Sequence, residues 1–361
     1  MQLQFAGKDF KLGILGGGQL GRMLIQEAIN LNISTAVLDP DANAPCKYLT
    51  EHFVVGDFRD EETVYAFGKK VNLLTIEIEH VNINALLRLE SEGVLVYPQP
   101  QILAMVQDKG IQKEFFASHL IPTADFKLIH DKEHLKEFVG EFPAILKSIT
   151  GGYDGRGVQL VQDELSAKKV IAEWGKALYE EVVPFDRELS ILIARSPHNQ
   201  VATWAVTETI QRDGICIETI TPAPNLSEEV ANLAQKIASD IANTIKLVGV
   251  MAVELFQVGE KLLVNEIALR PHNSGHWSIE GSVTSQFEQH LRAVLDLPLG
   301  DTKMTARWAV MANILGTENP DLYRPYLHLF ARDPELKIHI YGKEVRPGRK
   351  VGHATVVGDD L

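Results

Sequence analysis

Short apolar runs alternate with stretches of helical spacing from the start of the chain. Lys11 to Leu15 reads as a buried strand, Arg22 to Leu31 as a one-faced helix, and Ser34 to Asp39 as a second strand. His52 to Phe58 and Asn72 to Val81 continue the strands, with a helix over Glu61 to Lys70 between them. A helix over Ile83 to Glu92 and a strand over Gly93 to Pro98 close the block, and Pro98 and Pro100 mark its end. Strict strand–helix alternation predicts a Rossmann-like parallel sheet over residues 1–100.

From Gln101 the rhythm changes. Helices over Gln107 to His119 and Lys132 to Gly140, the segment Ile121 to Ile129, and a strand from Pro143 into Lys147 predict a small α+β lid over 101–176. Ser166 is the expected N-cap of a helix that ends at Gly175. The block 177–300 is richer in strands. Ala177 to Arg195 opens it, broken at Pro184, and a hairpin turns at Asp213-Gly214. A long helix spans Leu226 to Lys246, capped by Ser227 with Glu228 and Glu229 in its first turn. Val248 to Val258 and Lys261 to Leu269 form a second hairpin around Gly259-Glu260. After a helix over Gln286 to Leu295 and a turn at Pro298-Leu299-Gly300, residues 301–361 read as short strands in a small C-terminal segment. The fold class is therefore mixed, α/β followed by α+β.

Composition narrows the partners. With 361 residues, 45% of them hydrophobic and 23% charged, the chain has room for several cores. A net charge of −13 argues against a nucleic-acid backbone as partner, though not against small anions held by a local basic cluster. Cys46 and Cys216 provide neither a disulfide framework nor metal-ligand spacing. No signal-peptide pattern and no apolar run long enough for a membrane span is visible, so a cytoplasmic protein is expected.

Four stretches carry candidate chemistry. Gly16, Gly18 and Gly21 match GxGxxG, with Asp39 at the end of the next strand. That suits either a dinucleotide or another phosphate or polar ligand at the helix N-terminus. Glu77 and Glu79 sit near a later strand end, where α/β sheets place ligands. Lys147 precedes a loop holding Gly151, Gly152, Gly155 and Gly157, with Tyr153, Asp154 and Arg156 inside it. Such a loop can present backbone amides to phosphate, with the lysine as a point charge. In the second hairpin, a three-residue turn pairing Val258 with Leu262 sets Glu254 opposite Glu266, two carboxylates suited to Mg²⁺. A two-residue turn would place them on opposite faces. Arg270, His272 and Asn273 follow and form a candidate site for a small planar anion. His272 and His276 have helical zinc spacing, but Pro271 and Gly275 argue against a helix there. Lys343, Arg346, Arg349 and Lys350 form a basic patch offset by Glu344, another candidate phosphate site.

The succession of Lys147, GGYDGRG, the EEVV segment with Glu188, and Glu254 twelve residues before Glu266 resembles the ATP-grasp enzymes. With GGGQLGR, NEIALRPHNSGH and YGKEVRPGRKVGH it is similar, more narrowly, to the N5-carboxyaminoimidazole ribonucleotide synthetases of purine biosynthesis, from about Lys11 to the C-terminus. The resemblance implies a Rossmann-like domain, a lid, a larger α+β domain and a C-terminal segment packed against them. It implies a ligase that joins bicarbonate to 5-aminoimidazole ribonucleotide with ATP, through carboxyphosphate, without biotin, and commonly as a homodimer. It assigns ATP to Lys109, Lys147, the loop Gly152, Tyr153, Asp154, Gly155, Arg156 and Gly157, the hinge Glu180, Glu181, Val182 and Val183, Glu188, Asn265 and Glu266. Glu254 and Glu266 would carry Mg²⁺, with Mn²⁺ as an alternative; Ala268 stands where many ATP-grasp enzymes have a further Asn ligand. Arg270, His272, Asn273 and Lys343 would hold bicarbonate. Gln19, Leu20, Glu77, Tyr153, Asp154, Arg156, Lys343 and Arg349 would meet the aminoimidazole nucleotide, with Asp154 at its exocyclic amine. Three rivals stay open: an ATP-grasp transferase acting on glycinamide ribonucleotide, an NAD-dependent oxidoreductase built on Gly16, Gly18, Gly21 and Asp39, and a non-catalytic nucleotide sensor.

Overall fold

The computed structural model describes residues 9–131, 142–152 and 157–361. Strands β1 (Lys11–Leu15), β2 (Ser34–Asp39), β3 (His52–Val55), β4 (Leu73–Ile76) and β5 (Leu95–Val96) form a parallel sheet in the order β3-β2-β1-β4-β5. Helix α1 (Gln19–Asn30) covers one face, while α2 (Glu61–Gly68) and α3 (Ile83–Ser91) cover the other. β4 stops at Ile76, so Glu77 and Glu79 lie in the loop beyond it, not within the strand. Pro100 opens helix α4 (Pro100–Gln107) at its first turn, where the missing N–H is harmless. The expected single helix over Gln107 to His119 is split at Asp108. Its carboxylate accepts from the Gly110 and Ile111 amides and so starts α5 (Lys109–Ser118) as a separate helix.

Strands β6 (Phe126–Ile129), β7 (Ala144–Ser148), β8 (Val158–Val161) and β9 (Ala177–Glu181) make an antiparallel sheet in the order β6-β9-β7-β8. Helix α6 (Glu164–Trp174) packs Ala167, Val170 and Ile171 on it, which gives this lid its own small core. Its N-cap is Asp163, not Ser166: Asp163 accepts from the Ser166 amide, and the Ser166 hydroxyl accepts from the Asp163 amide. The helix expected over Lys132 to Gly140 lies outside the described residues.

The largest sheet has nine strands. β10 (Arg187–Arg195), β11 (Val201–Thr203), β12 (Thr207–Arg212), β13 (Ile215–Thr221), β14 (Gly249–Val258) and β15 (Lys261–Ala268) are joined by β16 (Trp308–Leu315), β17 (Lys337–Ile340) and β18 (Lys350–Gly358). The C-terminal strands thus hydrogen-bond directly into it through β13 and β16. Helix α7 (Glu228–Thr244) covers one face, capped by Ser227. Helix α8 (Ser278–Gly281) and α9 (Gln286–Val294) follow β15, and α9 packs Phe287, Leu291 and Val294 beside α1. Helix α10 (Tyr323–Arg332) arises where only strands were expected; Pro325 falls in its first turn, and none of its residues is buried. No helix among the described residues is long and apolar enough to cross a membrane.

Candidate active site

The glycine loop between β1 and α1 is filled by the protein itself. The amides of Gly18 and Gly21 donate to the two carboxylate oxygens of Glu77 at 2.9 and 3.0 Å. Gly17 donates to Asp39 at 2.6 Å. A Cβ on Gly18 would lie 2.6 Å from a Glu77 oxygen, so glycine admits the carboxylate. Burial pushes the Glu77 carboxyl up, and the two amides and the Lys343 charge pull it back. A carboxylate already occupies the helix N-terminus that a dinucleotide's pyrophosphate would need, and Asp39 braces the loop. This arrangement removes the dinucleotide reading of Gly16, Gly18, Gly21 and Asp39.

Three lysines meet two carboxylates where the lid faces the large sheet. Lys147, at the end of β7, lies 2.6 Å from Glu180 Oε2 and donates to Asn265 Oδ1 at 2.8 Å. Lys113 of α5 lies 2.6 Å from Glu180 Oε1, donates to the Thr123 hydroxyl at 2.5 Å, and lies 3.4 Å from the Val264 carbonyl. Lys109, one turn earlier on α5, pairs with Glu266. Burial pushes the Lys113 ammonium down to about 8, an effect that Glu180 opposes. Burial also opposes the Lys109 charge, but Glu266 more than compensates and raises it. Burial works against Glu180 as well, and its two lysines hold it below the usual range. The Glu180 side chain therefore serves the lysines; the hinge continues through Glu181 and Val182, both exposed, to buried Val183. Gly152 and Gly157 flank the part of the loop that lies outside the described residues, and Gly157 holds φ +71° while accepting from the Ser148 amide.

The hairpin of Glu254 and Glu266 reaches its geometry by a different route from the expected one. Its turn has two residues, since Val258 pairs with Lys261. A bulge at Asn265 then shifts the register, and Glu254 stands opposite Glu266 after all. Burial, the Glu266 charge and then Glu188 push the Glu254 carboxyl up. Glu266 faces the same burial, but Lys109 and Lys147 draw it down. Asn265 Nδ2 lies 3.4 Å from Glu254, and His272 Nε2 lies 3.3 Å from it. The donors are hard oxygens, one of them on Glu266 paired with Lys109, a set that suits a divalent cation such as Mg²⁺. Among the described residues no group of three or more His, Cys, Asp or Glu is arranged to hold a metal alone. The pair would thus need outside oxygens such as those of phosphate. Glu188, two strands from Glu266, is pushed up by burial and hydrogen-bonded by Gln211, a neighbour that the sequence did not single out.

Beyond β15 the chain turns through Arg270, Pro271, His272 and Asn273. Arg270 Nε donates to Glu79 Oε2 at 2.7 Å, and the Leu269 amide to Glu79 Oε1 at 3.2 Å. Gln286, fully buried, accepts from the His272 amide and donates to the His272 carbonyl, both at 2.8 Å. The His272 Nδ1 lies 2.8 Å from the Ser274 hydroxyl. Asn273 and Asn313 of β16 exchange amide bonds at 2.8 and 2.7 Å. Gln286 and Asn313 were not legible as site residues because each acts through the fold, far along the chain. His276 is buried against Gln286, and its ring lies 4.8 Å from that of His353, tilted by 34°, inside the core.

The structure brings Gln19, Glu77 and Lys343 toward the α1 N-terminus: Gln19 opens the helix, and the Lys343 charge reaches Glu77. Leu20 is 6% exposed and packs into the core beneath α1. Arg349 donates to the Glu344 carbonyl at 3.2 Å. The expected basic patch is divided: Arg346 is exposed and paired with Glu344 at 2.5 Å, whereas Lys350 is buried. Tyr153, Asp154, Gly155 and Arg156 lie outside the described residues.

Comparisons with known proteins converge. The ribonucleotide synthetase preATP-grasp domain matches residues 10–107, the ATP-grasp domain 114–287, and the phosphoribosylaminoimidazole carboxylase C-terminal domain 309–361. The N5-carboxyaminoimidazole ribonucleotide synthase of Mycobacterium tuberculosis is 43% identical over 360 residues, covering 97% of this chain and 84% of that protein. The crystal structure of the synthetase from Thermus thermophilus has a TM-score of 0.88 at 40% identity, covering 97% of this chain and 94% of that one. The synthase from Aspergillus clavatus, solved with ADP and 5-aminoimidazole ribonucleotide, has a TM-score of 0.89 at 35% identity, covering 97% and 94%.

Proposed function

This chain belongs to the N5-carboxyaminoimidazole ribonucleotide synthase family of ATP-grasp enzymes, and we propose on that premise that it joins bicarbonate to the exocyclic amine of 5-aminoimidazole ribonucleotide, converting ATP to ADP and phosphate. The observation that carries the reading is the meeting of the lysine–carboxylate cluster with the Arg270–Asn273 turn across the end of one hairpin.

A bicarbonate oxygen attacks the γ-phosphorus and ADP leaves, giving carboxyphosphate. The amine nitrogen then attacks the carboxyl carbon; the new N–C bond forms, the C–O bond to phosphate breaks, and the amine loses a proton. Lys109 and Lys147 take the ATP phosphates, with the glycine loop over them, and Glu188 takes the ribose hydroxyls. The backbone of Glu180 to Val183 follows the adenine edge. Arg270, His272, Asn273 and Lys343 hold bicarbonate. Arg270 is pre-aimed by Glu79, and His272 by Gln286, so little ordering remains for the reaction. Glu254 and Glu266, with Asn265 beside them, would hold Mg²⁺ or Mn²⁺; bound there, the ion would offset phosphate charge during transfer. Gln19, Leu20, Glu77, Lys343 and Arg349, with Tyr153, Asp154 and Arg156 by motif, line the aminoimidazole nucleotide. No step calls for biotin. A cytoplasmic homodimer is the setting we propose.

The test is phosphate release with ATP, bicarbonate or aminoimidazole ribonucleotide omitted in turn. Full turnover needs all three, and equal turnover with glycinamide ribonucleotide plus formate would overturn the assignment. Glu266→Gln should abolish turnover while the melting profile stays cooperative; full activity in that variant would remove the metal assignment.

A further inference from the structure

Lys113 stands outside every role assigned above, yet it shares one carboxylate with a lysine that has a role. Its ammonium and that of Lys147 each lie 2.6 Å from a different oxygen of Glu180. All three side chains are buried, at 3%, 9% and 4% exposure for Lys113, Lys147 and Glu180. The other contacts of the two lysines differ in kind. Lys113 is fixed to Thr123 and faces the Val264 carbonyl, main-chain and hydroxyl oxygens of the scaffold. Lys147 ends β7 at the entrance of the glycine loop and touches Asn265, beside the carboxylate pair.

Lys147 is therefore held by Glu180. To meet a phosphate it must weaken that contact, and a buried carboxylate left without a cation is strongly disfavoured. We infer that Lys113 is a positioning residue for ATP: it is the standing counter-ion of Glu180 and so releases Lys147 to the triphosphate. This rests on the reading that Lys147 binds ATP phosphates. The Lys147 charge also disfavours the Lys113 ammonium. Its departure toward phosphate therefore tightens the Lys113–Glu180 pair, and the loss on one side of the carboxylate is recovered on the other. A purely structural lysine would stabilise the fold equally for every ligand. A releasing lysine matters only to ligands that carry phosphate.

The experiment compares ATP with adenosine by calorimetric titration of the full chain with Mg²⁺ present. Lys113→Met should weaken ATP tenfold or more and leave adenosine within twofold. Adding Glu180→Gln to Lys113→Met should bring ATP affinity back to within threefold of Glu180→Gln alone, because no carboxylate then retains Lys147. Unchanged ATP affinity, equal weakening of both ligands, or no recovery in the double variant overturns the inference. Should Lys113→Met fail to fold, Lys113→Gln decides it by the same ATP-to-adenosine ratio. Lys147→Met separates the underlying reading: it should lose ATP but keep adenosine, and if it binds ATP normally that reading fails whatever the Lys113 variants do.

Discussion

At the scale of single residues, the site is a set of charges paired with one another. Lys109 rests on Glu266 and Lys147 on Glu180, while Glu254 meets the Asn265 amide and the His272 imidazole. Burial and the facing Glu266 charge raise the Glu254 carboxyl, and Glu188 adds to this. A carboxyl raised in the folded state holds its proton more tightly there than in the unfolded chain. Its ionisation therefore subtracts stability as pH climbs from the ordinary glutamate range toward the raised folded value. In metal-free protein Glu254→Gln should flatten that decline and melt about 2 °C or more higher at neutral pH, a shift of the size that roughly 1 kcal/mol produces. Added Mg²⁺ should favour the unchanged chain instead. Thermal melts across pH with a chelator present test this, and a Glu254→Gln protein with the original pH slope would refute it. Lys147, Glu254 and Glu266 were legible as candidates from the glycine loop and the hairpin, and Lys109 from the family resemblance. Their partners were not, because Lys109 meets Glu266 from 157 positions away and Lys147 meets Asn265 from 118.

At the scale of elements, turn length alone misjudges the hairpin of Glu254 and Glu266. A two-residue turn at Gly259-Glu260 would separate the carboxylates onto two faces if β15 ran evenly. One extra residue, Asn265, reverses the alternation between Val264 and Glu266. The bulge also leaves the Asn265 amide free to reach Lys147 and Glu254. Deleting Asn265 should regularise the ladder and keep the carboxylates opposite, while Lys147 loses its amide. We expect a folded protein whose ATP affinity falls about tenfold, the worth of one hydrogen bond to a charged group, about 1.5 kcal/mol. Asn265→Ala, which keeps the bulge, should show the same loss. If the deletion alone weakens ATP and the alanine variant does not, the bulge itself is what counts. Other element errors have similarly local causes. Asp108 and Asp163 each start a helix that apolar spacing ran past or entered late, since a cap is set by hydrogen bonds and not by periodicity. Helix α10 escaped notice because it buries nothing and carries Pro325.

At the scale of the whole molecule, the order of the domains was legible because each carries its own pattern: strict strand–helix alternation first, a glycine-loop lid next, and antiparallel strands last. What the pattern could not convey is how the first sheet aims residues of the third. Two side chains of the first domain do this. Thr75 of β4 meets His290 of α9 at 2.8 Å in the core. Just beyond the same strand, Glu79 takes the Arg270 guanidinium and the Leu269 amide. Glu79 looked like a ligand candidate by position, but its two oxygens are committed to the turn that follows β15. The pair is mostly buried, at 13% and 21% side-chain exposure, so an Arg270 without Glu79 would be both misdirected and uncompensated. Glu79→Ala should therefore act on the proposed bicarbonate step from another domain. Its KM for bicarbonate should rise about tenfold or more while its KM for ATP stays within about twofold, because the lysines proposed for ATP have other partners. Restoring the carboxylate one methylene shorter, with Glu79→Asp, should recover part of the loss. Steady-state kinetics with each substrate varied in turn decide it: equal losses for ATP and bicarbonate would mean that Glu79 holds the domains together without aiming Arg270.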